Sequence, residues 1–360
     1  MINSNLIRIF GATAIAALVL GAAEVSAADF YAGKTLKIVT NASAGGSTGI
    51  SSQTFANWVV KYIPGSPKVI VQPVPGGAQL KGINFVRNAR ADGLTIGWSA
   101  WGGSTRVLDP PKRQVPFHEF QVIGGAGIMP VVIGRTDLGG GIKSAEDLVK
   151  VGKVKYGGFR PGSAFDMRAR LSLEMLGIDY SYVSGYRGAA PGHAALLRGE
   201  INLQSPSMTA FLAVYKKGSV ADGKTLGLFY WGLPNKDGTT TGYKEAAEMP
   251  TFYKLYSKLK GKAPSGAKWE AIKFLSRASD GLTWLVWAPP KTPADRVAIL
   301  RKAFADAVKD PGFLADYEKR TKLSPTISLW KEAKDVVDSI QKVDPAIIAT
   351  MRDSVNRAKK

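Results

Sequence analysis

Short apolar, β-branched runs alternate with stretches of helical spacing along most of the chain. The runs predict strands at Thr35–Asn41, Lys68–Val74, Leu94–Trp98, Pro130–Gly134, Val154–Gly157, Tyr180–Val183, Ile201–Gln204, Leu226–Trp231 and Leu282–Trp287. Phe55, Trp58, Val59 and Tyr62 form one apolar stripe at helical intervals, and Met167, Leu171 and Met175 begin another. Later, Thr292-Pro293 reads as an N-cap and first helical position for a helix whose Val297, Leu300, Phe304 and Val308 face a core; Asp310-Pro311-Gly312 ends it. Strands interleaved with helices predict an α/β fold with mainly parallel sheets. A chain of 360 residues suits two lobes better than one.

One arrangement occurs twice. The first strand runs into Ala44-Gly45-Gly46-Ser47-Thr48-Gly49 and then a helix over 50–63. The strand at Val154–Gly157 runs through Gly157-Gly158-Phe159-Arg160-Pro161-Gly162-Ser163 into a helix from Ala164. A Gly-rich loop leaving the carboxyl end of a strand and opening a helix aims free N–H groups and the positive end of the helix dipole at one spot, which suits an anion. Open α/β sheets hold ligands at that edge. The competing reading is that these glycines only permit tight turns. Trp98, Trp101 and Phe159 follow strand ends and either line a pocket or bury against the sheet, whereas Trp58, Trp284 and Trp287 read as core.

Composition narrows the function. Asn3 to Arg8 are polar and weakly basic, Ile9 to Ala23 apolar and small, and Val25-Ser26-Ala27 fits a signal-peptidase site, so residues 1–27 read as a secretory signal cut after Ala27 or Ala28. The run is shorter than the ~20 residues a spanning helix needs. The chain has no Cys and two His, which removes thiol catalysis and Cys-zinc sites and predicts no metal and no cofactor. The net charge of +20 attracts anions. Its basic residues are scattered without an aromatic–basic motif, so nucleic acid is not an expected partner.

Gly45-Gly46-Ser47-Thr48-Gly49 also fits the G-x-S-x-G nucleophile elbow of α/β-hydrolases in a strand–turn–helix setting. A serine nucleophile needs a base, and only His118 and His193 are available. His118 lies in a connecting segment, and His193 opens a helix with no acid placed to orient it. A secreted serine esterase is therefore the alternative, and a non-enzymatic binding protein the main reading.

At these loops the sequence resembles the Bug family, the periplasmic substrate-binding proteins of tripartite tricarboxylate transporters. The motifs run in order from about Lys34 to Arg320. They are Lys34-Thr35-Leu36-Lys37-Ile38-Val39 leading to Ala44-Gly45-Gly46-Ser47-Thr48; Val69-Ile70-Val71 with Pro75-Gly76-Gly77-Ala78; and Ala91-Asp92-Gly93-Leu94-Thr95-Ile96. Lys155-Tyr156-Gly157 with Gly162-Ser163, Tyr186-Arg187-Gly188-Ala189-Ala190-Pro191, Arg198-Gly199-Glu200-Ile201-Asn202 and Pro289-Pro290-Lys291-Thr292-Pro293 follow. The resemblance implies a two-lobed, type II-like periplasmic binding protein that closes on a small carboxylate and hands it to the transporter's membrane components. One lobe would comprise residues 28–128 plus 232–360 and the other 129–231, with crossings near Met129 and Trp231. The implied site is the cleft between the loops, with Ala44, Gly45, Gly46, Ser47, Thr48, Trp101, Phe159, Arg160, Gly162, Ser163, Ala164, Tyr186, Arg187 and Ser205 as its residues. Four departures bear on the ligand: Gly49 stands where the family usually has Asp, Arg160 where it often has a small residue, Asp166 where it has His, and segment Tyr243–Ser279, with Tyr253, Tyr256 and Trp269, is longer and more basic than usual. A missing acid at Gly49 predicts an anion without an essential amino group. Arg160 either enters the cleft or turns away, to solvent or to Asp166.

Overall fold

The computed structural model describes residues 29–45, 47–110, 114–186, 188–235 and 237–359; the expected signal segment 1–27 lies outside them. The strands are β1 (Thr35–Thr40), β2 (Lys68–Pro73), β3 (Thr95–Ala100), β4 (Gln121–Gly127), β5 (Val131–Arg135), β6 (Val154–Gly157) and β7 (Tyr180–Val183). They continue as β8 (Leu203–Gln204), β9 (Thr225–Tyr230), β10 (Leu233–Pro234), β11 (Thr240–Thr241), β12 (Trp284–Ala288) and β13 (Thr326–Leu329). The helices are α1 (Ser47–Val59), α2 (Leu80–Arg87), α3 (Gly103–Arg106), α4 (Ala164–Leu176), α5 (Ala189–Leu197) and α6 (Met208–Ala210), which runs on as a π-helix over Phe211–Val220. After them come α7 (Phe252–Lys260), α8 (Ala267–Asp280), α9 (Ala294–Ala307), α10 (Pro311–Thr321), α11 (Trp330–Ser339) and α12 (Pro345–Arg357). No described helix is long and apolar enough to cross a membrane.

Two sheets form, in the orders β13-β4-β12-β3-β1-β2 and β7-β6-β8-β5-β9, with β10 and β11 as a separate hairpin. The expectation of mainly parallel sheets needs correction. β1 pairs in parallel with β2 and β3, and β6 with β7 and β8. The joins of β12 to β3 and β4, β13 to β4, and β5 to β8 and β9 are antiparallel. The reason is connectivity: β5 and β12 enter their sheets straight from the other half of the molecule, without a right-handed helical crossover to set them parallel.

Four strands carried little sequence signal. β4 reads Gln-Val-Ile-Gly-Gly-Ala-Gly, and its glycines hide the pattern of a strand. They are there for packing: a Cβ on Gly124 would strike the Phe304 ring, and one on Gly127 the Asp280 carbonyl. β13 and the β10–β11 hairpin are short and only half-buried.

The first sheet is sandwiched between two cores. On one side Phe55, Trp98, Trp284, Phe304 and Phe313 pack together; on the other lie Trp101, Phe120, Leu282 and Trp287. Under the second sheet, Tyr156, Met167, Leu171 and Leu228 are joined by Phe252, Trp269, Ile272, Leu275 and Met351. Helices α7, α8 and α12 therefore bury their apolar faces against the second sheet, although the resemblance puts residues 232–360 with the first. The chain passes between sheets at Ile128–Pro130 and, going back, at Gly281–Thr283. These two crossings touch, the Ile128 N–H donating to Thr283 Oγ1 at 2.9 Å.

Beside that joint lies an ion pair with both side chains fully buried. Arg168 of α4 donates from one nitrogen, Nη1, to both carboxylate oxygens of Asp280 at 2.8 and 2.7 Å, and to Ser276 Oγ at 3.1 Å. Its other terminal nitrogen has no hydrogen-bond partner among the described residues, and the guanidinium lies 4.8 Å from the Trp231 ring centre. Burial pushes the Asp280 carboxyl up to about 6, against the pull of Arg168.

Candidate functional site

The second Gly-rich loop is built around a carboxylate of the protein itself. Asp166, in the first turn of α4 and nearly fully buried, accepts the backbone N–H groups of Phe159 at 2.7 Å and Arg160 at 3.0 Å through Oδ2. The same oxygen takes the Tyr182 hydroxyl at 3.0 Å, and Oδ1 takes the Tyr156 hydroxyl at 3.3 Å. Burial raises the Asp166 pKa, while these donors and the nearby Arg170 pull it down. Arg170, itself buried, donates to the carbonyls of Pro161 and Ser354, tying the loop to α12. The expectation that this loop's amides stand free for a ligand is corrected at Phe159 and Arg160, whose N–H groups are occupied.

The same contacts settle how Arg160 and Asp166 meet. Asp166 takes Arg160's backbone N–H, and no salt bridge or hydrogen bond engages the Arg160 guanidinium among the described residues. Arg160 and Phe159 are both exposed, and the guanidinium lies 5.8 Å from the Phe159 ring centre. Ser163 caps α4, its hydroxyl accepting the Asp166 N–H.

Two cavities meet at Arg160. One, of ≈ 200 Å³, is walled by Trp101, Gly102, Phe159, Phe165, Ala278 and Leu282, and Ser163 and Ala164 also reach it. The other, of ≈ 220 Å³, is bounded by Ala78, Gly102, Arg106, Asp109 and Gly162. Gly102, Thr105 and Arg160 border both. They lie between the carboxyl ends of β3 in the first sheet and β6 in the second. Of the expected residues, Trp101, Phe159, Arg160, Gly162, Ser163 and Ala164 are thus brought together. Trp101 is wholly buried; its indole donates to the Leu282 carbonyl, and it meets Phe117 edge-on.

The described residues of the first loop border neither cavity. Ala44, Gly45 and Ser47 are exposed, and Gly46 lies outside the described residues. Thr48 is buried and its hydroxyl accepts the Trp284 indole N–H at 2.9 Å. Gly49 has a packing reason: a Cβ there would collide with the Ser43 and Ala44 carbonyls, so an acid cannot occupy this position without moving the loop. Tyr186 is half-buried beside the second loop, its N–H donating to the Gly158 carbonyl at 3.1 Å; Arg187 lies outside the described residues. Ser205, just beyond β8, is buried and its hydroxyl has no hydrogen-bond partner among the described residues.

The hydrolase geometry does not assemble. His193 Nε2 is 2.9 Å from Ser219 Oγ and its ring packs on Tyr215, on the second sheet's side, while His118 is exposed in a turn at Phe117–Glu119. Neither imidazole is hydrogen-bonded to Ser47 among the described residues.

Several site-forming residues escaped the sequence reading. Asn41 locks the end of β1 to that of β3, its amide group exchanging hydrogen bonds with the Ala100 N–H and carbonyl at 3.0 and 2.9 Å. Ala78 and Gln79 carry φ of 51° and 76°, a left-handed backbone in non-glycine residues at the cleft rim. Arg106 binds the Trp101 carbonyl at 2.8 Å, the Ala78 carbonyl at 3.2 Å and Asp109 at 3.4 Å. A polar side chain just past a strand's carboxyl end was the available signal for Asn41; nothing local marks Arg106.

Two helix-flanked mixed sheets, joined by adjacent crossings with a cleft between strand ends, define the two-lobed fold of periplasmic binding proteins. No protein-family model matches the chain and no curated protein matches its sequence. Solved structures do match it. A TctC solute-binding protein from Polaromonas is 18% identical, covering 90% of this chain and 98% of its own, with a TM-score of 0.63. A Rhodopseudomonas palustris protein solved with adipate is 17% identical over 91% and 97%, TM-score 0.62. MatC from the same organism, with bound malate, is 16% identical over 89% and 99%, TM-score 0.57. At these identities the likeness is one of fold.

Proposed function

We propose that this chain is a periplasmic solute-binding protein that captures a small organic anion by closing two lobes and delivers it to the membrane components of a tripartite tricarboxylate-type transporter. The observation that carries the reading is the Arg160 guanidinium, without a salt bridge or hydrogen bond among the described residues and set between the two sheets where both cavities meet. Malate and adipate in structures of like fold support a carboxylate as the ligand class. The motif order and the expected signal segment support export, with residues 28–128 and 129–231 seeding the two lobes. Binding is reversible, without turnover, metal or nucleotide.

Isothermal titration calorimetry against a panel of mono- and dicarboxylates tests this directly. Saturable binding of at least one acid, with no hydrolysis of model esters, is expected. Ester turnover abolished by Ser47→Ala would replace the reading with the esterase one. For export, the intact mass of protein recovered from the periplasm should begin at Ala28 or Asp29.

A further inference from the structure

The two cavities that share Arg160 differ in chemistry. In the ≈ 200 Å³ cavity, Arg160 is the sole charged residue among the described lining, and the walls are the rings of Trp101, Phe159 and Phe165 with Leu282 and Ala278. Of its three serines, the buried Ser104 and Ser279 face each other, Oγ to Oγ at 3.4 Å. Phe159 is 46% exposed and so open to a ligand. The ≈ 220 Å³ cavity instead brings the guanidiniums of Arg160, from the second sheet's loop, and Arg106, from α3, to one space, with Asp109 as the one acid among the described lining.

Resting on the carboxylate-binding reading, we infer that the ligand is an organic acid with an apolar aryl or alkyl body, its carboxylate held between Arg160 and Arg106 and its body against Phe159, Phe165 and Leu282. Two like charges facing one cavity repel each other until an anion sits between them. Burial lowers the Arg106 pKa, and Arg160's charge pushes it the same way against Asp109. Arg106 has hydrogen atoms left over after its bonds to Trp101, Ala78 and Asp109, so it can donate to the ligand without giving up its perch. A short, wholly polar diacid fits poorly. One carboxylate would find the two cations, but the other would meet a largely apolar space whose polar lining (Gln79, Ser104, Thr105, Ser163, Ser279 and Thr283) offers it no positive charge among the described residues, so its desolvation is only partly offset. An apolar body fills that space and leaves one charge for the basic end, the usual division of labour in a small-molecule site.

The test is calorimetry on the full mature chain with succinate, malate, adipate, hexanoate, benzoate and phenylacetate. Tighter binding of an aryl or alkyl monoacid than of succinate and malate, by tenfold or more, is expected. Phe159→Ser, a change at an exposed position, should erase that preference by weakening the monoacid tenfold while leaving melting temperature unchanged. Arg106→Gln should weaken the same acid at least tenfold; if that variant fails to fold, Arg106→Lys, which keeps the charge and loses the fork, should weaken it several-fold. Succinate or malate binding tightest, with Phe159→Ser silent, would overturn the inference and leave the carboxylate reading standing. Absence of binding by every acid would overturn both.

Discussion

At the scale of single residues, what distinguishes the cleft is which charges are already spent. Asp166, Arg168, Arg170 and Asp280 are buried and committed to partners within the protein. Arg160 is not. Arg160→Ala is expected to weaken the best-bound carboxylate by about 2–5 kcal/mol, the usual cost of removing one side of a desolvated charge pair. Arg160→Lys should fall between, because it keeps the charge without the planar fork. Titration calorimetry on both folded variants decides; unchanged affinity for Arg160→Ala would remove this side chain from the site.

At the scale of elements, the two strand–loop–helix units look alike in sequence and are stabilised differently. In the first, Gly49 lets α1 press against its own loop; Gly49→Asp is expected to cost about 1–3 kcal/mol by overpacking, read from urea denaturation. In the second, Asp166 organises the loop. Asp166→Ala should cost about 1–3 kcal/mol for each buried donor left without an acceptor, and should weaken ligand binding with it. Chemical denaturation paired with titration checks both effects, and wild-type affinity in a destabilised variant would separate the loop from the site. Both units were legible in the sequence because a Gly-rich turn between a β-branched run and a helical stripe is a local pattern. The internal use of Asp166 was not, since its partners Tyr156, Phe159 and Tyr182 meet only through the pairing of β6 with β7. β4 escaped notice for a related reason: its glycines answer to Phe304 and Asp280, far away in the chain.

At the scale of the whole molecule, the two sheets meet at a joint where Ile128 bonds Thr283 and the Arg168–Asp280 pair is sealed from water. The return at Gly281–Thr283 depends on α7 and α8 packing under the second sheet, which needs the tertiary fold. Asp280 titrates at about 6 in the folded protein against an ordinary 3.8. Between about pH 4 and pH 6 the native state therefore keeps a proton that the unfolded chain gives up. Stability from this group is present below about pH 4 and is lost as pH rises through about 6. Facing the carboxyl are Arg168 from α4, Ser276 on its own helix and Tyr243 from the β11–α7 connection, whose hydroxyl titrates far above this range. Wild-type melting temperature minus that of Asp280→Asn should fall between pH 4 and pH 6, and a flat difference would show that Asp280 ionises as an ordinary carboxyl.

Asp166 has one more consequence. With a resident counter-ion already seated on its amides, the second loop does not wait for a guest to take its shape. Hydrogen exchange at Phe159 and Arg160 should be slow in the empty protein and change little on saturation. The ordering entropy that a floppy loop would charge against affinity has then been met during folding, and the ligand's free energy goes into drawing the lobes together.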